Sequence, residues 1–129
     1  MVFRILDATA FYAGIPFASN DSFMTTSIVY EEIQHIKTKQ GALEMLQQTN
    51  RLQIRDPSEK NINIVRDISI KTGDDSTISK QDVSIIALAL ENNCELITDD
   101  FAVTNVAKQL KIKTSSLMTQ GIKTVGKWI

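Results

Sequence analysis

The chain has 129 residues, of which 43% are hydrophobic and 22% are charged, a composition typical of one ordinary globular domain. No apolar stretch approaches the roughly 20 residues of a membrane-spanning helix, so no membrane partner is expected. The amino-terminal apolar segment contains an acid and has no basic region before it, unlike a signal peptide. The single cysteine, Cys94, gives neither a disulfide framework nor a thiolate zinc site within the chain. A reducing, cytoplasmic compartment is therefore expected.

The formal net charge of −1 hides an uneven distribution of charge. Residues 1–100 hold all 15 acids, whereas residues 101–129 hold five lysines and no acid. A basic end beside an acidic body is compatible with a polyanionic partner, and a solvated basic surface explains it equally well. The candidates for phosphate contacts are Lys108, Lys111 and Lys113.

Short apolar runs alternate along the chain with segments of helical periodicity. This alternation predicts an α/β fold, with a mainly parallel sheet covered by helices on both faces. We expect one domain over residues 1–129, with a basic C-terminal segment at about 111–129. The predicted strands are 3–6, 52–55, 95–98 and 112–115, the predicted helices are 27–37, 40–48, 58–71, 79–92 and 101–110, and loops are expected at 15–26 and 72–77.

Acidic residues follow two of the predicted strands. Asp7 comes directly after the first strand, and Asp99 and Asp100 end the run LITDDF. Because the carboxyl ends of parallel strands share one edge of a sheet, these acids should lie close together. Adjacent carboxylates at the end of a buried strand repel each other and must be desolvated together. A simpler explanation is also open, since Asp7 and Asp100 are suitable helix N-caps.

Two helices carry further acids. Asp82 stands three residues after Ser79, which is the spacing of a capping box. On the helix containing SIVYEEI, Glu32 lies beside the apolar stripe, whereas Glu31 lies on the opposite side. An inward carboxylate requires a cation, a proton or hydrogen-bond donors.

A divalent metal ion explains all these acids together. Mg²⁺ and Mn²⁺ prefer oxygen ligands, and a few carboxylates commonly hold them beside a substrate phosphate. Such an ion offsets the mutual repulsion of Asp7, Glu32, Asp82 and Asp100, with Asp100 preferred to Asp99 for the inward position. The same ion can orient a phosphodiester and activate water.

The segments ILDATAF, SIVYEEI, SKQDVSIIALALE and LITDDF together resemble a PIN domain, the fold of many metal-dependent ribonucleases. Within that superfamily, KTGDD, LITDDFAVTNVAKQL and TQGIKTVGKWI are most similar to the Nob-type endonucleases, which trim the 3′ end of small-subunit ribosomal RNA. The resemblance implies a three-layer α/β/α fold, endoribonuclease activity and Mg²⁺ or Mn²⁺ as cofactor. It also implies precursor small-subunit rRNA and pre-ribosomal subunit proteins as partners, and it leaves homo-oligomerisation open.

The resemblance also assigns roles to individual residues. Asp74, in the TGD turn, is at least as well explained as a turn residue as by a catalytic role. Nob-type proteins usually continue into a zinc ribbon with four cysteines, and this sequence does not show one. The implied catalytic and metal-binding residues are Asp7, Glu32, Asp82 and Asp100, with Asp99 as a further ligand and Thr9, Ser79 and Thr98 as hydroxyl residues that support the carboxylates.

Two other functions fit the same sequence. One is a toxin nuclease of the VapC type, and the other is a non-catalytic RNA-binding or assembly module. His35 is expected to be a helix-surface residue, because metal-activated water needs no histidine base. Phe101 is expected to pack in the core, although Phe101 and Trp128 are also residue types that stack on bases.

Overall fold

A computed structural model of the chain describes residues 2–34 and 40–120. Five strands form one sheet in the order β3-β2-β1-β4-β5, and every neighbouring pair is parallel. This sheet confirms the predicted α/β class. The strands are β1 (Phe3–Leu6), β2 (Ser22–Thr25), β3 (Leu52–Ile54), β4 (Glu95–Ile97) and β5 (Thr114–Ser115).

Helices connect the strands, as parallel pairing requires. The longest buried helix, at Lys80–Asn92, packs on β1 and β4 and also against the helices at Glu59–Thr72 and Phe101–Gln109. In the described residues no helix is long and apolar enough to span a bilayer. The α-helices are α1 (Ala8–Tyr12), α2 (Ser27–Ile33), α3 (Gln40–Gln48), α4 (Glu59–Thr72), α5 (Lys80–Asn92) and α6 (Phe101–Gln109), and short 3₁₀ helices lie at Ile15–Phe17 and Leu117–Gln120.

The central strands are covered on both faces. Consecutive residues of a strand point to opposite faces, and Ile5 and Leu6 of β1 are both fully buried, as are Leu96 and Ile97 of β4. Helix α5 has a continuous run of buried residues at 83–89, so it is enclosed nearly all round, as its apolar sequence predicts. The hydrophobic core therefore lies on both faces of the sheet, and α5 is enclosed within it.

Strand β2 lies inside the segment that the sequence predicts as a loop. Pro16, Asn20 and Asp21 are typical of loops, but all four residues of Ser22–Thr25 are buried between β1 and β3. The Thr25 hydroxyl donates a hydrogen bond of 2.9 Å to the carbonyl of Leu6, the last residue of β1. The prediction of a loop over 15–26 was wrong because tertiary pairing outweighs the polar composition of this short strand.

The helix boundaries follow capping residues. Ser58 caps the start of α4, and Gly73 ends it with a φ of 78°, a conformation that glycine adopts without strain. Helix α2 ends at Ile33 rather than at the predicted residue 37, and residues 35–39, including His35, lie outside the described residues. Trp128 also lies outside them.

Truncation of Leu88 tests the position of the core. Leu88 is 0% exposed in α5, so Leu88→Ala should lower the free energy of unfolding by about 2–5 kcal/mol in urea denaturation. The control is Met45→Ala on α3, because Met45 is 59% exposed and surface changes usually stay within about 0.5 kcal/mol. Equal effects of the two substitutions would contradict this assignment of the core.

Candidate active site

The carboxyl ends of β1 and β4 meet at one edge of the sheet. These strands are parallel neighbours, and Leu6 pairs with Ile97. From β1 the chain continues outward through β2 and β3, whereas β4 and β5 lie on the other side, so the strand order reverses at this point. Ligands of open α/β sheets bind in the crevice at such a reversal.

A small cavity of about 120 Å³ lies at this edge. The residues that line it come from the end of β1, from α1 and α2, and from the starts of α5 and α6. Ser79 and Gln81 contribute polar groups to its wall. We call it the carboxylate cavity, because four acidic residues line it: Asp7, Glu32, Asp82 and Asp100.

Asp7 is the most buried of these acids, with 7% of its surface exposed. Its side chain caps α1, since Oδ1 accepts a hydrogen bond of 2.8 Å from the Ala10 amide. Its Oδ2 accepts a hydrogen bond of 2.9 Å from the Thr98 hydroxyl. Two donors on two elements therefore fix the orientation of this carboxylate.

Burial raises the pKa of Asp7 above its ordinary value, because desolvation disfavours the charged form. The hydrogen bonds from Ala10 and Thr98 act in the opposite direction. The negative charges of Asp82 and Asp100 raise the pKa further. The three acids thus interact through their charges, as a cation-binding site requires.

Asp82 and Asp100 are both helix-capping residues. Asp82 forms the predicted capping box with Ser79: its Oδ2 accepts from the Ser79 amide at 3.1 Å, and the Ser79 hydroxyl accepts from the Asp82 amide at 3.0 Å. Asp100 caps α6 by accepting from the Val103 amide at 3.0 Å. Each carboxylate is thereby held at a helix N-terminus, where negative charge is favoured.

Glu32 lies on α2 and is half-buried at the cavity, whereas its neighbour Glu31 is exposed, as the helical spacing predicts. Thr26 caps α2 and lies 2.7 Å from the Ser84 hydroxyl of α5. Because the Ser84 hydroxyl donates to the Gln81 carbonyl at 2.6 Å, Thr26 is the donor to Ser84. This buried link ties α2 to α5 and positions Glu32 relative to Asp82.

The links through Thr25, Thr26 and Ser84 were missed at the level of sequence. Their one visible signal is the run MTTS before α2, which is typical of an N-cap. Gln81, on the cavity wall, was also missed, because a glutamine in the first turn of a helix has no distinctive pattern.

The supporting hydroxyl residues differ in their contacts. Thr98 donates to Asp7 and also accepts from the Asp100 amide at 3.1 Å, so it links two of the acids. Ser79 orients Asp82 through the capping box. Thr9 lines the cavity, but within the described residues its hydroxyl makes no hydrogen bond to a carboxylate.

Asp99 is directed away from the cavity. Its Oδ1 accepts hydrogen bonds from the Ser116 hydroxyl at 2.6 Å and from the Leu117 amide at 3.0 Å. Asp99 is not among the residues that line the cavity, and its role as a further metal ligand stays a prediction. Asp74 is a turn residue, because its carbonyl accepts from the amides of Thr77 and Ile78.

The predicted phosphate-binding lysines lie away from the carboxylate cavity, toward the amino ends of β4 and β5. Lys108 is in the last turn of α6, and Lys113 Nζ lies 3.3 Å from Oε2 of Glu95, the first residue of β4. Contact with RNA at these lysines stays a prediction. Phe101, next to Asp100, is 79% exposed, so the expectation that it packs in the core was wrong.

The carboxylate oxygens that line the carboxylate cavity are suitable ligands for a hydrated divalent cation. In residues 2–34 and 40–120, no three acidic, histidine or cysteine side chains lie close enough together to enclose an ion directly. Mg²⁺ keeps several waters and is commonly bound through one or two carboxylates. One oxygen of Asp82, one of Asp100 and the carboxylate of Glu32 accept no hydrogen bond from the described residues, so they can face such an ion.

A family model described as the PIN domain of ribonuclease matches residues 5–91. This match covers more than half of the chain and includes three of the four cavity acids, Asp7, Glu32 and Asp82. The chain therefore belongs to the PIN-domain family of ribonucleases.

Within this family, the chain is similar over most of its length to proteins named endoribonuclease Nob1. It is 36% identical over 118 residues to that of Methanocaldococcus jannaschii, which covers 91% of this chain and 57% of the relative. It is 32% identical over 124 residues to that of Pyrococcus abyssi, covering 96% and 73%. The chain thus spans little more than half the length of the first of these relatives. Together with the family, they support a nuclease.

Other relatives carry another name. Ribonuclease VapC3 of Aeropyrum pernix is 30% identical over 122 residues, which covers 91% of this chain and 87% of the relative. A solved structure, VapBC2 from Rickettsia felis bound to a DNA fragment from their promoter, has a TM-score of 0.65 at 17% identity, covering 89% of this chain and 98% of that one. This structural likeness supports the PIN-like fold.

Neutralising the buried acid tests the repulsion within the cavity. Without divalent cations, Asp7→Asn should raise the thermal unfolding midpoint, because it removes a desolvated charge that faces two other acids. Mn²⁺ should stabilise the parent protein more than this variant.

The control is Asp67→Asn, the same substitution on the exposed surface of α4. A lower midpoint for Asp7→Asn, with Asp67→Asn unchanged, would mean that the donors from Ala10 and Thr98 outweigh the cost of burying the charge.

Proposed function

We propose that this protein is a metal-dependent endoribonuclease that hydrolyses RNA phosphodiester bonds. The observation that carries this proposal is the meeting of four carboxylates, Asp7, Glu32, Asp82 and Asp100, in one cavity at the reversal point of the sheet. The family, and the Nob1 name of two relatives, support RNA as the substrate class. PIN-domain nucleases generally use divalent cations, and we propose Mg²⁺ or Mn²⁺.

The four acids differ in how the fold holds them, and we propose a different role for each. Ala10 and Thr98 donate to the two oxygens of Asp7, so this carboxylate has a set orientation in the wall of the cavity. Asp82 and Asp100 each keep one oxygen directed by a helix amide and one oxygen available for the cation or its waters. Glu32 is supplied by α2 and also lines the cavity.

A bound divalent cation supplies Lewis-acid stabilisation of phosphate oxygens and lowers the pKa of an attacking water. Asp7, Glu32, Asp82 and Asp100 would hold this cation, and helix caps orient three of them, Asp7, Asp82 and Asp100. Hydrolysis breaks the bond between phosphorus and the ribose O3′, leaving a 5′-phosphate and a 3′-hydroxyl. Because all four acids reach the cavity, a non-catalytic RNA-binding module is the weaker interpretation.

The biological substrate that we propose is precursor small-subunit rRNA, matured at its 3′ end in the cytoplasm with pre-ribosomal subunit proteins as partners. Similarity to the Nob1 proteins over 91–96% of the chain supports this choice. A toxin ribonuclease is the second candidate, because the VapC3 relative is covered over 87% of its length. Growth arrest on expression, relieved by a small antitoxin encoded alongside, would favour the toxin.

Cleavage of RNA by charge-neutral variants tests the carboxylates. Asp82→Asn and Glu32→Gln should each lower the rate of Mn²⁺-dependent cleavage by at least about a hundred-fold, because each removes a negative charge that would hold the cation. Asn at position 82 can still accept from the Ser79 amide, so the start of α5 should remain intact. Cleavage is followed on a labelled RNA by gel electrophoresis.

Glu31→Gln is the matched control for Glu32→Gln, since it makes the same change one residue earlier on the exposed face of α2. It should retain the activity of the parent protein. Full Mn²⁺-dependent activity of Asp82→Asn would remove Asp82 from the proposed site.

Salt dependence of binding tests the predicted phosphate-binding lysines. Replacing Lys108, Lys111 and Lys113 by Gln should weaken the binding of a long RNA. For each lysine that contacts a phosphate, the slope of log affinity against log salt should fall by about 0.7. Fluorescence anisotropy across a salt series measures this slope. An unchanged slope would mean that these lysines belong to the solvated surface.

A further inference from the structure

A second, larger cavity of about 500 Å³ adjoins the carboxylate cavity. It lies between the end of α4, the turn at 73–78 and the start of α5. Ser79, the N-cap of α5, lines both cavities, so the two are neighbours at this residue. We call it the basic groove, and the residues of its lining that matter here are Arg66, Ile70, Asp75, Ile78, Ser79 and Lys80.

The sign of the charge changes from one cavity to the other. The carboxylate cavity is lined by four acids and no base. The basic groove is lined by two cations, Arg66 and Lys80, and a single acid, Asp75. Arg66 and Lys80 are exposed, and in the described part of the chain neither forms a salt bridge. These two cations are therefore available to an anionic ligand.

The groove also has an apolar wall. Ile70, near the end of α4, is 62% exposed, so its side chain is accessible to a ligand. Ile78 lies beside it at the end of the turn. A nucleotide presents both a phosphate and an apolar ribose and base face, so this combination of cations and isoleucines suits a nucleotide.

The turn that resembles a Nob-type segment, TGDD, builds one side of this groove. Gly73 ends α4 in a left-handed conformation, and the Asp74 carbonyl accepts from the amides of Thr77 and Ile78 at 3.0 Å each. The Asp74 side chain accepts from Asn105 of α6 at 3.5 Å. These contacts stabilise the turn that carries Asp75 and Ile78, which both line the groove.

We propose that the basic groove binds the RNA strand next to the scissile phosphodiester, with Arg66 and Lys80 contacting a neighbouring phosphate and Ile70 contacting its ribose or base. This inference rests on the proposed function and deepens it. A phosphate that approaches four carboxylates is repelled, and cations one step along the strand offset that repulsion. A guanidinium also binds phosphate oxygens in a bidentate manner.

Binding of a short single-stranded RNA tests the groove. Arg66→Gln and Lys80→Gln are compared in the Asp82→Asn background, which prevents cleavage, by fluorescence anisotropy across a salt series. Each should weaken binding by roughly ten-fold, the loss expected for one charge-assisted hydrogen bond. Each should also lower the slope of log affinity against log salt by about 0.7. In the cleaving protein the same substitutions should raise KM more than they lower kcat.

Lys60→Gln is the charge-matched control, because Lys60 is exposed in the first turn of the same helix and does not line the groove. It should leave affinity and slope unchanged. Equal effects of the groove variants and Lys60→Gln would overturn the groove, even if the parent protein cleaves RNA. Weakened binding in the groove variants, with no cleavage by the parent protein, would keep the groove as an RNA site and overturn the nuclease.

Discussion

The charge of the Asp7 carboxylate, buried beside two other acids, is the constraint on which the candidate site depends. Burial and the charges of Asp82 and Asp100 both disfavour that charge. Donors from Ala10 and Thr98 oppose them, and the Thr98 donor exists because β1 and β4 are paired in one register. The sheet thus concentrates negative charge at one edge and compensates it only in part. The divalent cation that we propose would offset the remaining repulsion.

The structural and the functional explanations of these acids are not alternatives. Asp7 and Asp100 cap helices, and Asp82 belongs to a capping box, as a purely structural interpretation predicts. The same three residues line one cavity. The hydrogen bonds that cap these helices also fix the direction of each carboxylate, so the site is ordered by the folding of the helices. A carboxylate without such a cap would have to be ordered when the cation binds, at a cost in side-chain entropy.

Periodicity and capping patterns in the sequence were sufficient for most of the fold and for the four cavity acids. The first strand, the enclosed helix α5 and the inward side of α2 all follow from apolar spacing. Strand β2 could not be predicted, because its burial comes from pairing with β1 and β3 rather than from its own composition. The direction of Asp99 depends on contacts with the residues after β5, and the exposure of Phe101 depends on how α6 packs. Neither follows from the local sequence. The link from Thr26 to Ser84 spans 58 positions and needs the packed fold.

The two cavities on either side of Ser79 carry opposite charge, which would orient a bound RNA strand across them. The four acids repel a polyanion unless a cation is bound among them, whereas Arg66 and Lys80 on the other side attract a phosphate directly. The most direct measurement of the central claim is the anomalous scattering of a crystal soaked in Mn²⁺. The ion should lie in the carboxylate cavity, in contact with at least one of Asp7, Glu32, Asp82 and Asp100 or with waters bound to them. Saturating Mn²⁺ that leaves this cavity empty, or that occupies only other surfaces, would contradict it.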